Sequence, residues 1–541
     1  MKSLPPATDQ PTPVARTAAI ASDPILRAMQ AELDRERAEL VLPGMQRPYF
    51  MEYRLDDFTT FEAVANYGAL TREEEGHQRV VRVAVRIGSY TSDSSSSRGE
   101  GSVELAPTDN NPEAIRYALW SATDEAYKAA LRAYTTKQAA LKRFETAPTE
   151  GDFSPAPATL HIAALVQLAI DRAEWKRRIV DASGLYASDP EVSGFSANVQ
   201  YSTANVRGVA VNRYLVNTEG TVLRQGYGGY SANVSVGGQA ADGARLSRDN
   251  GTTAATAAEL ESAAAFRRRT VDDLKGLEAL RNAPVVSAED FHGPVLFSGD
   301  AASDVFDRLF VPNIEADRPE MGTSARTQGA YTSSFHAPVL VPFLNVTDNP
   351  LETTFHGHTL LGAYTVDDEG IAARPIDVVV HGKLENYLIG RTPVRDFPAS
   401  NGHGRSTIGQ GARARAGVLT FSSTAPLTAA QMNARLLALA REQGRDVYAV
   451  DTLGNELLPR VLYLVHPDGT RQLVRGAVFD ELDARSLRSG ILAAGDDFHI
   501  ANTLGAIPET TIAPSLLFAD IGVKRATEEQ QKLPYYAPPQ P

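Results

Sequence analysis

The 541-residue chain has no cysteine. Disulfides, thiolate nucleophiles, iron–sulfur clusters and any zinc site using sulfur are therefore excluded, while cytoplasm and periplasm both stay open. It also lacks a run of about 18 apolar residues, so no segment reads as a membrane-spanning helix. Basic residues are the minority: 53 Lys and Arg against 66 Asp and Glu give a formal charge of −13. That balance argues against a general nucleic-acid binder, whose phosphate contacts need a basic face. The opening MKSLPPATDQPTPVARTAAIASD puts Pro, Thr, Asp and Gln where a signal peptide needs its apolar stretch. As written the chain reads as cytoplasmic, with the periplasm the alternative if a signal peptide has been removed. H-E-x-x-H, G-x-S-x-G, the phosphate loop G-x-x-x-x-G-K-[ST] and the dinucleotide fingerprint are all missing.

What remains is a composition typical of a folded protein, 43% hydrophobic and 22% charged, in a chain too long for one ordinary core. The Pro/Ala/Thr-rich residues 1–22 are expected to be disordered. A first domain is expected over 23–283, a strand-richer second domain over 284–529, and a loose tail over 530–541. In the first, PILRAMQAELDRERAEL (24–40) has helical spacing behind Pro24, and RVVRVAVRIGSY (79–90) alternates Val81, Val83, Val85 and Ile87 against Arg82 and Arg86. Residues 47–70 suggest two strands, 109–144 a long helix or helix pair, and 194–243 strands with a hairpin turn at Asn217–Gly220. A helical segment is expected from Ala254 to Arg281. In the second, HGPVLFSGDAASDVFDRLFVPN (292–313) reads as a short buried strand, an N-cap at Ser298 and a helix from Ala301 to Phe310.

Four groups of residues could carry chemistry. His356-Gly357-His358, on a strand, would face one side and could bind a metal with His403 as third ligand. Asp367-Asp368-Glu369-Gly370 closes a strand and is expected to be an exposed hairpin turn, with Gly370 at positive φ. Its alternative role is a general base, from Asp368 or Glu369. Asn401-Gly402-His403-Gly404-Arg405 is a loop whose glycines let backbone approach a ligand, with His403 able to move protons near neutral pH. Arg391 or Arg405 could grip a carboxylate with two parallel hydrogen bonds.

The ordered set GPVLFSGDAASDVFDRLF, FLNVTDNP, LLGAYTVDDEGI, VVVHGKLENYLIGRTPV and NGHGR resembles the C-terminal half of TldD/PmbA family proteins. RPYFMEYRLDDFTTFEAVANYGAL, RVAVRIGSY and NRYLVNTEGTVLRQ resemble that family's N-terminal half, particularly its longer bacterial members, so the likeness spans about residues 24 to 525. The resemblance implies a two-domain α+β protein that dimerises around an internal chamber, where unfolded peptide pairs as an extended strand. In active members an H-E-x-x-x-H helix and a later cysteine bind zinc. Counting ungapped from Val295-Leu296-Phe297, that motif falls on Asp307-Arg308-Leu309-Phe310-Val311-Pro312, and no histidine lies between His292 and His336. The expectation is a protein closer to the PmbA (TldE) branch: a non-catalytic or divergent subunit without cofactor, linked to proteolysis. It would be a homodimer, or a heterodimer with a zinc-bearing TldD-like homologue, and would bind unfolded peptide through Arg391, Asn401, His403 and Arg405. The alternatives are a metallopeptidase with a relocated zinc site at His356, His358 and His403, or a purely structural assembly protein.

Overall fold

The computed structural model describes residues 12–95, 101–142, 150–287, 289–319, 325–527, 532–534, 536 and 539. The fold is α+β: one large sheet clad by helices on one face, followed by two strand-rich sheets.

Helix α1 (Pro13–Ser22) lies in the segment expected to be disordered, its first turn capped by the Thr12 hydroxyl; residues 1–11 lie outside the described residues. Helix α2 (Pro24–Glu39) starts where Asp23 accepts hydrogen bonds from the Ile25 and Leu26 amides, with Pro24 filling a position that needs no donor. The chain then makes β1 (Phe50–Asn66), β2 (Ala69–Arg86), β3 (Ser102–Ala106), α3 (Pro112–Leu141), β4 (Leu160–Ile162) and α4 (Arg172–Ser188). It continues through β5 (Val199–Asn217), β6 (Val222–Gln239), β7 (Arg245–Ala254) and α5 (Ala263–Asn282). These strands form one sheet in the order β3-β2-β1-β5-β6-β4, with β7 also on β6. The stretch expected to hold two strands, 47–70, is one 17-residue strand and its hairpin turn; the acidic TREEEGHQ that follows is strand too. The helix expected from Ala254 begins nine residues later, since the polar run before it pairs as β7.

Strand alternation splits β1 into two unlike faces. Met51, Tyr53 and Leu55 point to α2 and α3, and Phe61, Ala63 and Ala65 to α4 and α5. Glu52, Arg54 and Asp56 occupy the opposite face and are nonetheless buried.

The second half opens with β8 (Phe291–Phe297), α6 (Gly299–Leu309) and α7 (Val311–Ile314). Short strands follow: β9 (Leu344–Asp348), β10 (Thr354–Phe355), β11 (His358–Thr359), β12 (Ile376–Val380), β13 (Lys383–Leu384), β14 (Gly404–Arg405), β15 (Arg413–Ala414) and β16 (Val418–Ser423). Then come α8 (Ala429–Gln443), β17 (Val447–Leu453), β18 (Pro459–Val465), β19 (Arg471–Val474), β20 (Ala477–Asp480) and α9 (Ala484–Ser489). The last strands are β21 (Ile491–Ala494), β22 (His499–Leu504), β23 (Pro508–Ala513) and β24 (Leu516–Arg525). One sheet runs β13-β12-β9-β16-β23-β22 and the other β19-β18-β17-β8-β24-β20. Val305, Phe306 and Phe310 sit in the core of this half, with the Phe306 ring stacked 3.7 Å from Phe421. Among the described residues no helix is long and apolar enough to cross a membrane.

Candidate functional site

The polar face of β1, β2 and β5 is covered by segments from the second half, and charged side chains of both meet there. The acidic turn sits at this junction. Val366 bridges to Ala372, Gly370 takes φ +84°, and the segment is a turn as its sequence suggests. Its exposure is the opposite of the expectation: Asp367 and Asp368 are buried and Glu369 is half-buried. Solvent does not stabilise these carboxylates; backbone amides and arginines do.

Each of the three is held differently. Asp367 accepts from the amides of Glu369, Ile371 and Gly404 at 3.0, 2.8 and 2.9 Å. Burial and the neighbouring Glu369 charge still push its carboxyl well above the ordinary range. Asp368 Oδ2 receives Arg213 Nη1 at 2.6 Å, the Ser406 amide at 2.8 Å and Arg405 Nε at 3.2 Å. Burial alone would raise Asp368, but Arg213 and Arg405 overcome it and hold the group below the usual carboxylate range. Glu369 accepts from the Arg391 amide at 2.6 Å, and burial pushes it up to about 7 against the pull of Arg391.

The arginines link the two halves of the chain. Arg213 pairs with Asp56 at 2.6 Å on the neighbouring strand as well as with Asp368. Arg54 donates to Ser406 Oγ at 2.5 Å and to the Gln410 carbonyl, and Arg213 reaches the same Ser406 Oγ at 3.0 Å. Arg391 donates to the Ser154 carbonyl and to Glu219, and its guanidinium lies 4.0 Å above the Phe153 ring. Arg405 lies 4.1 Å above Tyr364.

The four residues expected to bind peptide fall together here, on one segment against the acidic turn. All are buried: His403 is 0% exposed, Arg391 1%, and Asn401 and Arg405 6%. Asn401 ties the loop by accepting from the Ile389 amide and donating to the Tyr387 carbonyl. His403 Nδ1 sits between two oxygens of Asn401 at 3.1 and 3.2 Å, and its Nε2 is 3.5 Å from Asp348. Arg54, Asp56, Arg213 and Glu219 were not anticipated. The signal was present in Glu52-x-Arg54-x-Asp56, a charged alternation opposite an apolar one, which reads as a solvated face when the covering segment is distant in sequence.

The histidine site does not form. His356 and Gly357 are the two turn residues of the β10–β11 hairpin, at φ +47° and +87°, so His356 and His358 are not on one strand and do not share a face. Both are exposed, whereas His403 is buried. Among the described residues, which include all ten histidines, no group of three or more His, Asp or Glu side chains could hold a metal ion.

At the position where the resemblance would put a zinc helix, α6 ends at Leu309 and α7 starts at Val311, so the stretch Asp307–Pro312 crosses a helix break. Asp307 accepts from Thr511 Oγ1 at 2.6 Å, and burial raises it to about 6. Asp304 is likewise raised to about 6 by burial and the charges of Asp300 and Asp307. Glu315, 2.5 Å from Arg415, and Glu509 are both raised to about 7 by burial, in the case of Glu509 with the charge of Glu315 adding to it. With neither imidazole nor thiolate present, these residues do not fit the zinc that the fold family implies.

Residues 292–525 match the model of the PmbA/TldA metallopeptidase C-terminal domain. Three solved structures share the fold across 92% of this chain. They are a candidate modulator of a DNA gyrase from Thermotoga maritima (TM-score 0.60, 15% identity, 99% of that chain covered), TldE from Thermococcus kodakarensis (0.59, 12%, 100%) and a candidate modulator of DNA gyrase from Bacteroides thetaiotaomicron (0.61, 12%, 98%). No curated protein matches the chain.

Proposed function

We propose that this chain, a TldD/PmbA-family protein by its C-terminal domain and its fold, is a non-catalytic or divergent chamber-forming subunit that binds unfolded or extended peptide in support of proteolysis. The observation that carries this reading is the α6–α7 junction. There the metal motif of active relatives is replaced by Asp307, Arg308, Leu309, Phe310, Val311 and Pro312, and the helix serves packing through Val305, Phe306 and Phe310. Peptide taken up as an added strand is recognised through its main chain, which tolerates varied sequence and needs no metal. Within this reading Arg391, Asn401, His403 and Arg405 shape the wall of the chamber from behind, and Arg391 Nη1 and Arg405 Nη1 are buried donors without a hydrogen-bond partner among the described residues. The subunit pairs with itself or with a zinc-bearing homologue that supplies the chemistry.

The test is metal analysis of the purified protein together with peptidase and peptide-binding assays on an unfolded polypeptide. Saturable binding without cleavage, and cleavage only after addition of a zinc-bearing homologue, is the expected result. Stoichiometric zinc with peptidase activity in the isolated chain would overturn the reading.

A further inference from the structure

Strand β3, the start of β2 (residues 69–78, which run past the end of β3) and β7 each have one edge that pairs with no other strand among the described residues. Open backbone donors and acceptors invite a further strand, and native sheets ordinarily blunt them with charge. Two of these edges are blunted in that way. Residues 69–78 carry Arg72, Glu73, Glu74, Glu75 and His77, and β7 carries Arg245, Arg248 and Asp249. Strand β3, Ser102-Val103-Glu104-Leu105-Ala106, has a single charge and no proline.

The two faces of β3 differ. Val103 and Leu105 stand beside Arg82 and Val80 of β2, on the face that the second half covers, yet they are 47% and 73% exposed. A Cβ at Gly409 would lie 3.5 Å from Val103 Cγ1 and 3.6 Å from Val80 Cγ1, so the covering segment reaches these two residues. Leu105 is left bare. On the other face Ser102 Oγ donates to Glu125 of α3 at 3.0 Å, and Glu104 shares that side. Glu104 is half-buried and Glu125 exposed, and neither has an ion pair among the described residues. The cations in this part of the fold are engaged elsewhere: Arg79, opposite Ala106, with Asp57 at 2.9 Å, and Lys128 with Asp124 at 2.5 Å.

An added strand presents alternate side chains to the two faces, so its partner here needs apolar residues on one side and cations on the other. A second copy of this chain fits that need poorly. Antiparallel addition into one continuous sheet keeps both α3 helices on the same side, which sets Glu104 and Glu125 against the same carboxylates of the other copy. We propose that β3 is the strand to which bound peptide adds, and that it selects extended peptides in which apolar residues, laid beside Val103 and Leu105, alternate with basic residues, laid against Glu104 and Glu125. This rests on the peptide-binding reading above and supplies the place of binding and the class of peptide.

Anisotropy titration of the full chain with three short labelled peptides tests this. The first alternates valine with lysine, the second has glutamate in place of lysine, and the third is the first with its central backbone amides N-methylated. The first is expected to bind about tenfold more tightly than either of the others, its lead over the second shrinking as salt rises. Leu105→Lys, which puts the usual guard charge on the edge, is expected to weaken the first peptide by about tenfold. Glu104→Gln with Glu125→Gln is expected to level the first and second peptides. Circular dichroism checks that each variant is folded, and if Leu105→Lys is not, the double glutamine variant decides. Equal binding of all three peptides by the native chain, or unchanged affinity in a folded Leu105→Lys, overturns the β3 site and leaves the peptide-binding reading intact. A dimer that Leu105→Lys dissolves, with no preference among the peptides, assigns the edge to a second copy and overturns the proposal. Binding of none of the peptides overturns both readings.

Discussion

The acidic turn at Asp367–Glu369 and the acidic cluster around Asp307, Glu315 and Glu509 are both sunk into the fold, yet only the turn is crowded with guanidinium groups. Around Asp368, Arg213 and Arg405 outweigh burial and fix a negative charge. Around Asp307 and Glu509 burial wins, and the carboxyls are raised to about 6 and about 7. Burial penalises a charge in both places; the number of cations in reach decides whether the charge survives. Asp368 thus anchors a structural clasp between two halves of the chain, while the cluster, like Glu369 beside Asp368, holds groups poised to change charge near neutral pH.

The largest way to break this contrast is to remove a cation from the clasp. Arg213→Met leaves Asp56 and Asp368 buried with their strongest partner gone, which is expected to cost about 3–5 kcal/mol in urea unfolding. Adding Asp368→Asn should recover part of the loss, because one stranded charge disappears. Asp307→Asn, by contrast, removes a group that is already inclined to neutrality and should shift stability by less than about 1 kcal/mol at pH 6. A loss after Asp307→Asn as large as that after Arg213→Met would erase the distinction.

The clasp also depends on close backbone approach. A Cβ at Gly404 would sit 2.1 Å from Glu369 Oε2, the oxygen that accepts the Arg391 amide. Gly404→Ala should therefore displace Glu369 and cost about 1–3 kcal/mol, measurable as a lowered denaturation midpoint. Gly370→Ala meets a different obstacle, φ +84° with Thr221 Cγ2 at 2.7 Å, and should cost about 1–2 kcal/mol.

Asp368 and the cluster also respond oppositely to pH. Asp307 and Glu509 keep their protons in the folded chain above their ordinary values of 3.8 and 4.5. Their contribution to stability is complete below about pH 4 and is lost as pH rises through 6 and 7. Asp368, lowered on folding, contributes above its ordinary value of 3.8 and loses that contribution as pH falls below it. Replacing Asp307 by Asn and Glu509 by Gln together should flatten the decline between pH 4.5 and 7, a change on the order of 1–2 kcal/mol, and leave the acid limb alone. Asp368→Asn should do the reverse. Chemical denaturation across pH 3–8 reads both, and an unchanged slope in the first double variant would refute the assignment.

Periodicity in the sequence located the elements that one local segment decides. The alternation Val81, Val83, Val85, the Asp23-Pro24 start of α2, the Ser298 cap of α6 and the Asn217–Gly220 hairpin are all legible, because the determining residues are adjacent. Strand β7 and the acidic start of β2 were not, since pairing with a long neighbour overrides their weak strand propensity. At the site, the loop carrying Asn401, His403 and Arg405 was found through its glycines and chemistry-bearing side chains. The Asp367–Glu369 turn was identified as a turn but placed in solvent. The residues that bury it, Arg54 and Arg213, lie more than 150 positions away, and sequence distance hides a long-range partner.

The smallest expected effect is the most decisive for the histidines. His356 shares a two-residue turn with Gly357, at φ +47°, His358 opens β11, and both side chains are exposed. The Phe355 ring stacks on His356 at 4.2 Å and the Phe498 ring stands edge-on to it at 6.5 Å, modest packing for an exposed side chain to lose in a double alanine variant. His356→Ala with His358→Ala should therefore change unfolding free energy by no more than about 0.5 kcal/mol, as surface substitutions do. Zinc content and peptide affinity should stay as they were. A metal site needs its ligands to converge, and His403 is enclosed by Asn401 and Asp348 instead of facing the hairpin turn. Loss of bound zinc or of peptide cleavage in the double variant would mean that the hairpin folds over onto a ligand set that this arrangement does not bring together.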